Sequence, residues 1–152
     1  MLPSWLTIGA VAVLIAACIR PAPADWRWFM HLRRPDWLTF EWAIPLIWTT
    51  ILICGVWSAV LVWQARPSVG LMLAYGLLEV SIMAYTAVMG RFRRLRVGVW
   101  IGAIGVVWGA VLALRVWPIS GTAAALLLPY LLWSPVGTWV TWEMMAINPA
   151  DA

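Results

Sequence analysis

Glu79 lies near the middle of a long apolar run, Val69–Gly90. A carboxyl at that depth is too costly to face lipid, so it must turn toward a bundle interior, a cavity or another chain. There it can hold a ligand or a helix carbonyl by a hydrogen bond. A second set lies in the last apolar run, where Pro129, Trp133, Gly137 and Thr141 recur every four residues and share one slowly drifting helix face. On such a face Trp stacks, Gly leaves room and Thr brings a hydroxyl, which would suit a flat apolar ligand; plain helix packing would use the same face. His31 is the only histidine, and as a lone loop residue it reads as an interface side chain rather than a haem-iron ligand. Cys18 and Cys54 form no metal or disulfide spacing. No Ser-His-Asp set, zinc spacing, phosphate loop or pair of membrane carboxylates is present, so nothing points to hydrolysis, phosphoryl transfer or proton pumping.

The elements that would position these residues follow from composition. The 152 residues include 14 Trp and no Lys, with 64% hydrophobic residues and 11% charged ones. Mean hydropathy is +0.91. Soluble domains carry roughly 25% charged residues, so an all-α integral membrane protein is indicated. A spanning helix needs about 20 mainly apolar residues. Five stretches qualify: Pro3–Ile19, Glu41–Gln64, Val69–Gly90, Val97–Val116 and Gly121–Ile147. They use nearly the whole chain and predict one five-helix bundle over residues 1–152, with the lipid bilayer as its first partner. The apolar start has no basic residue before it, which argues against a cleaved signal peptide or a lipidated Cys18.

The first connection, RPAPADWRWFMHLRRPDWLTFEW, is too long for a simple link and too aromatic for disorder, so it is expected to form an ordered lid on one membrane face. The other connections are short. Arg66-Pro67 breaks one helix, RFRRLR is a basic turn, and Ser120 is placed to cap the last span. Five spans put the lid, RFRRLR and the C-terminus on one side with eight of the ten Arg, which the positive-inside rule assigns to the cytoplasm in an inner membrane. Arg that flank spans in this way do not indicate nucleic-acid binding. Trp42 and Trp63 lie 21 residues apart, matching the bilayer core, and read as belt residues, as do Trp5, Trp26 and Trp117. Trp48, Trp57, Trp108, Trp133 and Trp139 lie deeper. Gly98, Gly102, Gly105 and Gly109 share one face of the fourth span, suited either to packing within the bundle or to a homodimer seam. Glu143, near the end of the last span, is expected to be solvated.

Two blocks carry a family resemblance. WFMHLRRPDW at Trp28–Trp37 is similar to the Trp-aromatic-x-x-Leu-x-basic-Pro-x-Trp loop of the TspO/MBR family, the tryptophan-rich sensory proteins and translocator proteins. PYLLWSPVGTWVTW at Pro129–Trp142 resembles that family's Pro-Tyr-x-x-Trp block, with Asn148 closing the helix. Leu38-Thr39 stands where the family has a double Pro, Val140-Thr141 where it has Leu-Asn, and only Glu79, Ile82, Met83 and Tyr85 mark its third-helix pattern. The resemblance implies a five-helix bundle, often dimeric. It further implies that the protein binds porphyrins or other tetrapyrroles, haem among them, and in some members sterol-like molecules, beneath the first loop. The site it implies here is Trp28, Phe29, Trp37 and Trp48 with Trp133, Gly137 and Thr141; Glu79 and Met83 join them from the third span. No obligatory cofactor is implied. A binding or sensory protein that could also act as a carrier is the leading expectation, and a structural or assembly partner of another membrane complex is the alternative. Porphyrin degradation would rest on resemblance alone.

Overall fold

The computed structural model describes residues 3–152, so Met1 and Leu2, included in the bundle expected over residues 1–152, lie outside it. The described residues form helices and connecting turns only. α1 covers Ser4–Cys18, α2 Pro23–His31, α3 Ile44–Ala65, α4 Val69–Phe92, α5 Leu95–Val116, α6 Gly121–Ala125 and α7 Leu128–Ile147. Short 3₁₀ turns precede α3 at Glu41–Ala43 and follow α7 at Pro149–Asp151. Four units are long and apolar enough to cross a bilayer: Glu41–Ala65, Val69–Phe92, Leu95–Val116 and Gly121–Ile147.

The first span differs from the expectation. α1 has 15 residues, or about 22 Å of helix at 1.5 Å per residue. A hydrocarbon core is about 30 Å thick, so α1 is short by itself. It makes a fifth candidate crossing only together with α2, across a 76° bend. The lid is also more regular than its prolines suggest. Pro23 occupies the first turn of α2, where the missing N–H would have no helical partner in any case, so here proline starts a helix rather than breaking one.

Local chemistry accounts for the other boundaries. Ser68 and Ser120 cap α4 and α6 by accepting from Leu71 N (3.4 Å) and Ala123 N (3.1 Å). The basic turn after α4 closes with Arg93 at φ 50°, and Arg93 N and Arg94 N donate to Gly90 O (3.2 Å) and Met89 O (3.3 Å). Pro129 lies in the first turn of α7, and Pro135 lies within it.

α5 and α7 form the centre of the bundle. All four α5 glycines are buried. A Cβ added at Gly98 would meet Met89 Sδ, at Gly102 Thr138 Oγ1, at Gly105 the Tyr130 hydroxyl at 2.6 Å, and at Gly109 Tyr130 Cε1 at 2.5 Å. The glycine face therefore packs α4 and α7 of the same chain. Pairing with a second copy through it would require those contacts to open. A buried network adds the remaining tie: Ser58 donates to Ala123 O (2.7 Å) and is bonded to the Tyr75 hydroxyl (2.6 Å), linking α3, α4 and α6.

Candidate functional site

The lid is fastened to the C-terminal end of α7 by contacts between residues more than a hundred positions apart. Arg33 N donates to Asn148 Oδ1 (2.9 Å), while Asn148 Nδ2 donates to Arg33 O (3.0 Å) and Met144 O (2.8 Å). Trp37 Nε1 donates to Glu143 Oε2 (2.7 Å), and Trp28 Nε1 to Asp151 Oδ1 (2.8 Å). Leu32 and Leu38 are buried with Met89, Leu95, Val140 and Met144 beneath these bonds. Asp25 of α2 packs on Gly90 near the end of α4. Lid, basic turn and C-terminus thus meet at one end of the bundle, the co-location expected from the count of spans. Glu143, expected to be solvated, also anchors Trp37 through this exposed bond. We expect Asn148→Ala to remove three hydrogen bonds and to speed hydrogen–deuterium exchange of residues 32–40, while α3–α5 keep their protection. At about 1 kcal/mol for each bond, exchange there should rise roughly tenfold or more.

Beneath the lid is a cavity of about 510 Å³. α2 contributes Trp26, Phe29 and Met30 to its wall, α3 Trp48, α4 Met83 and Tyr85, and α7 Trp133, Gly137 and Thr141. Six of the nine residues expected at the site meet here: Phe29, Trp48, Met83, Trp133, Gly137 and Thr141. Gly137 leaves open space, since a Cβ added there would meet nothing within 4 Å. Trp133 packs edge-on to Phe40, with centroids 6.2 Å apart. Its Nε1 is buried and has no hydrogen-bond partner among the described residues. A buried N–H left unpaired is costly, and this one belongs to a residue of the cavity wall. The Thr141 hydroxyl is already engaged: it donates to Gly137 O (3.1 Å) and is bonded to the Tyr85 hydroxyl.

The other three residues lie elsewhere, each for a geometric reason. Trp26, Phe29 and Met30 share one face of α2, spaced i, i+3, i+4, and Trp28 projects from another toward the C-terminal turn. Trp37 is held over α7 by Glu143 and is 45% exposed. Glu79 is one turn farther from the lid than Met83 and lines a different cavity, which shares only Ile82 and Tyr130 with this one. His31 accepts no role here; its Nδ1 is bonded to Arg27 O (2.6 Å) within α2.

Three features of the site were not anticipated. Trp26, read as a membrane anchor, lines the cavity. Ser134 and Thr138 form a second polar row on α7, three or four residues from Gly137 and Thr141, so a wider helical stripe would have included them. Arg20 and Arg34 line the cavity near the lid. Arg34 is held by Phe29 O (2.9 Å), Leu32 O (2.6 Å), the Phe29 ring (4.6 Å to the centroid) and Glu41 (3.7 Å). Burial lowers its pKa from the ordinary arginine value, and Glu41 opposes that shift. Arg20 is exposed and has no such partner among the described residues.

Among the deep tryptophans only Trp48 and Trp133 face this cavity; Trp57, Trp108 and Trp139 are exposed on the outer surface. Trp42 is 79% exposed, as a belt residue should be, whereas Trp63 is half-buried against the second cavity.

Comparison with known proteins gives a consistent result. The family model described as "TspO/MBR family" matches residues 4–147. The chain is similar to Protein CrtK of Rhodobacter capsulatus, at 24% identity with 96% of each chain covered. It is also similar to a tryptophan-rich sensory protein of Cereibacter sphaeroides, at 27% identity with 88% of each covered. A third relative, the uncharacterized membrane protein YtaB of Bacillus subtilis, is 26% identical over 93% of this chain and 97% of its own.

Proposed function

From the premise that this chain belongs to the TspO/MBR family, we propose that it is a membrane binding or sensory protein whose lid-side cavity takes a flat, apolar ligand of the tetrapyrrole class, such as a porphyrin. The sensory role is also the one named for its Cereibacter sphaeroides relative. The observation that carries the reading is the unpartnered Nε1 of Trp133, a residue that lines an aromatic cavity. An apolar site of about 300–1,000 Å³ with a few convergent polar groups is the usual form of a small-molecule pocket. The 510 Å³ cavity falls in that range. Trp26, Phe29, Trp48 and Trp133 offer ring faces and edges, Gly137 leaves depth, and the Trp133 N–H offers a donor to a ring nitrogen or carbonyl. Ligand passage across the membrane would use the lid as its gate.

Peripheral carboxylates on such a ligand would meet Arg20, because Arg34 is already committed to Glu41 and two carbonyls. The test is a titration of purified protein with protoporphyrin IX and with its dimethyl ester, followed by quenching of Trp fluorescence. Saturable quenching by both is expected. Arg20→Ala should weaken the diacid by up to about fivefold, as expected for an exposed ion pair, and leave the ester unchanged. Absence of saturable quenching by either compound would overturn the tetrapyrrole reading.

A further inference from the structure

The second cavity, about 630 Å³, lies between α1, α3 and α4 in the half of the bundle away from the lid. Its walls are mainly aliphatic, including Ile8, Val11, Ile51 and Met72, with Trp63 at the outer end. Among the described residues Glu79 is the only carboxyl on them, and no Arg or His lines them. Among the described residues Glu79 makes no ion pair and no hydrogen bond; the hydroxyl nearest in sequence on this wall, that of Tyr75, is taken by Ser58.

We propose that this cavity binds a lipophilic amine, an elongated apolar body carrying one ammonium group, with the Glu79 carboxylate as its counter-ion. The reading is independent of the tetrapyrrole proposal, because the two cavities share only Ile82 and Tyr130 and Glu79 lines this one alone.

Two observations support it. The first is the carboxyl itself. An ionisable group at membrane depth normally pairs with another group of the protein, and here the described residues provide none. An opposite charge gains more in such surroundings than a neutral donor, which favours an amine over an alcohol of the same shape. The second is the space. A Cβ added at Gly55 or Gly76 would meet nothing within 4 Å. The α5 glycines admit a neighbouring helix, whereas these two admit no protein atom. Gly76 precedes Glu79 by three residues, so both lie on one face of α4 and the open volume adjoins the carboxyl. Aliphatic walls suit a flexible chain, in contrast with the aromatic walls under the lid.

The experiment measures equilibrium binding of radiolabelled dodecylamine and 1-dodecanol to the full chain in phosphatidylcholine nanodiscs, with empty discs subtracted. Saturable amine binding is expected, with the alcohol weaker by about tenfold or more, the usual advantage of a charge-assisted bond. Glu79→Gln should weaken the amine by a similar factor and leave the alcohol unchanged. Gly76→Leu and Gly55→Leu should each abolish amine binding by filling the space while the carboxyl remains. Folding of each variant is checked by circular dichroism and monodisperse elution. If Glu79→Gln does not fold, the amine–alcohol comparison and the two leucine variants decide. Overturning results are no saturable amine binding by folded wild type, equal binding of amine and alcohol, amine binding indifferent to Glu79→Gln, or amine binding that survives both leucine substitutions.

Discussion

Gly137→Leu should abolish protoporphyrin binding while the protein folds as before. A Cβ at this position meets no neighbouring atom within 4 Å, so a leucine side chain extends into the cavity without forcing α7 off its partners. Inside the cavity it takes the space that a stacked macrocycle would use between Trp133 and the lid. A single methylene misfit in an apolar pocket changes binding by roughly 10- to 200-fold, and leucine adds four carbons, so a loss of about 100-fold or more is expected. Trp133→Phe is the companion variant. It keeps an aromatic ring and deletes only an N–H that no protein group uses. Thermal stability should therefore stay level apart from a small packing change, while binding falls by about threefold to tenfold, the value of one neutral hydrogen bond. Fluorescence titration of both variants, beside circular dichroism, is decisive. Wild-type affinity in Gly137→Leu would place the porphyrin outside this cavity.

How far the sequence foretold this arrangement depends on the range of the interactions concerned. The long apolar runs and the Ser120 cap are local signals, and α3, α4, α5 and the α6–α7 unit follow them closely. The glycine face of α5 was visible as spacing, but only the three-dimensional contacts show that Tyr130 and Thr138 fill it. Near the N-terminus local rules conflicted. Arg20 and Pro21 end the first apolar run before a full crossing, and Pro23 then begins a helix within the segment expected to form the lid. The site was legible where helical period alone mattered, as for Trp133 and Gly137. It was misjudged where the facing of a short helix mattered: Trp26 and Phe29 share the cavity face, and Trp28 does not. Glu79 lines a cavity, but two adjoining cavities that share Ile82 and Tyr130 are not distinguishable from spacing. The lid anchors Trp28–Asp151, Arg33–Asn148 and Trp37–Glu143 join partners 123, 115 and 106 positions apart, and no local pattern announces them.

Gly109→Leu should prevent the bundle from assembling. Even the Cβ of the new residue would lie 2.5 Å from Tyr130 Cε1, 2.9 Å from Cδ1 and 3.4 Å from Leu131 Cδ2. Tyr130 is firmly held: it is 4% exposed, follows Pro129 in the first turn of α7, and is packed in the cluster that includes Leu112, Val116 and Leu127. Relief would therefore require α5 and α7 to separate. Separation would also pull Thr138 from Gly102 and reshape both cavities, since Tyr130 borders each of them. Overpacking by a single methyl costs about 1–3 kcal/mol, so Gly109→Ala should fold with a clearly lowered melting temperature and the leucine variant should be recovered only as aggregate. Gly9 of α1 is the matched control, because a Cβ there meets nothing within 4 Å. Gly9→Ala should be neutral or slightly stabilising, given that Ala favours a helix over Gly by up to about 1 kcal/mol. Size-exclusion profiles and thermal melts in detergent distinguish the cases. A monodisperse, wild-type-like Gly109→Leu would mean that α5 and α7 do not meet at Tyr130, and the central packing of this bundle would have to be redrawn.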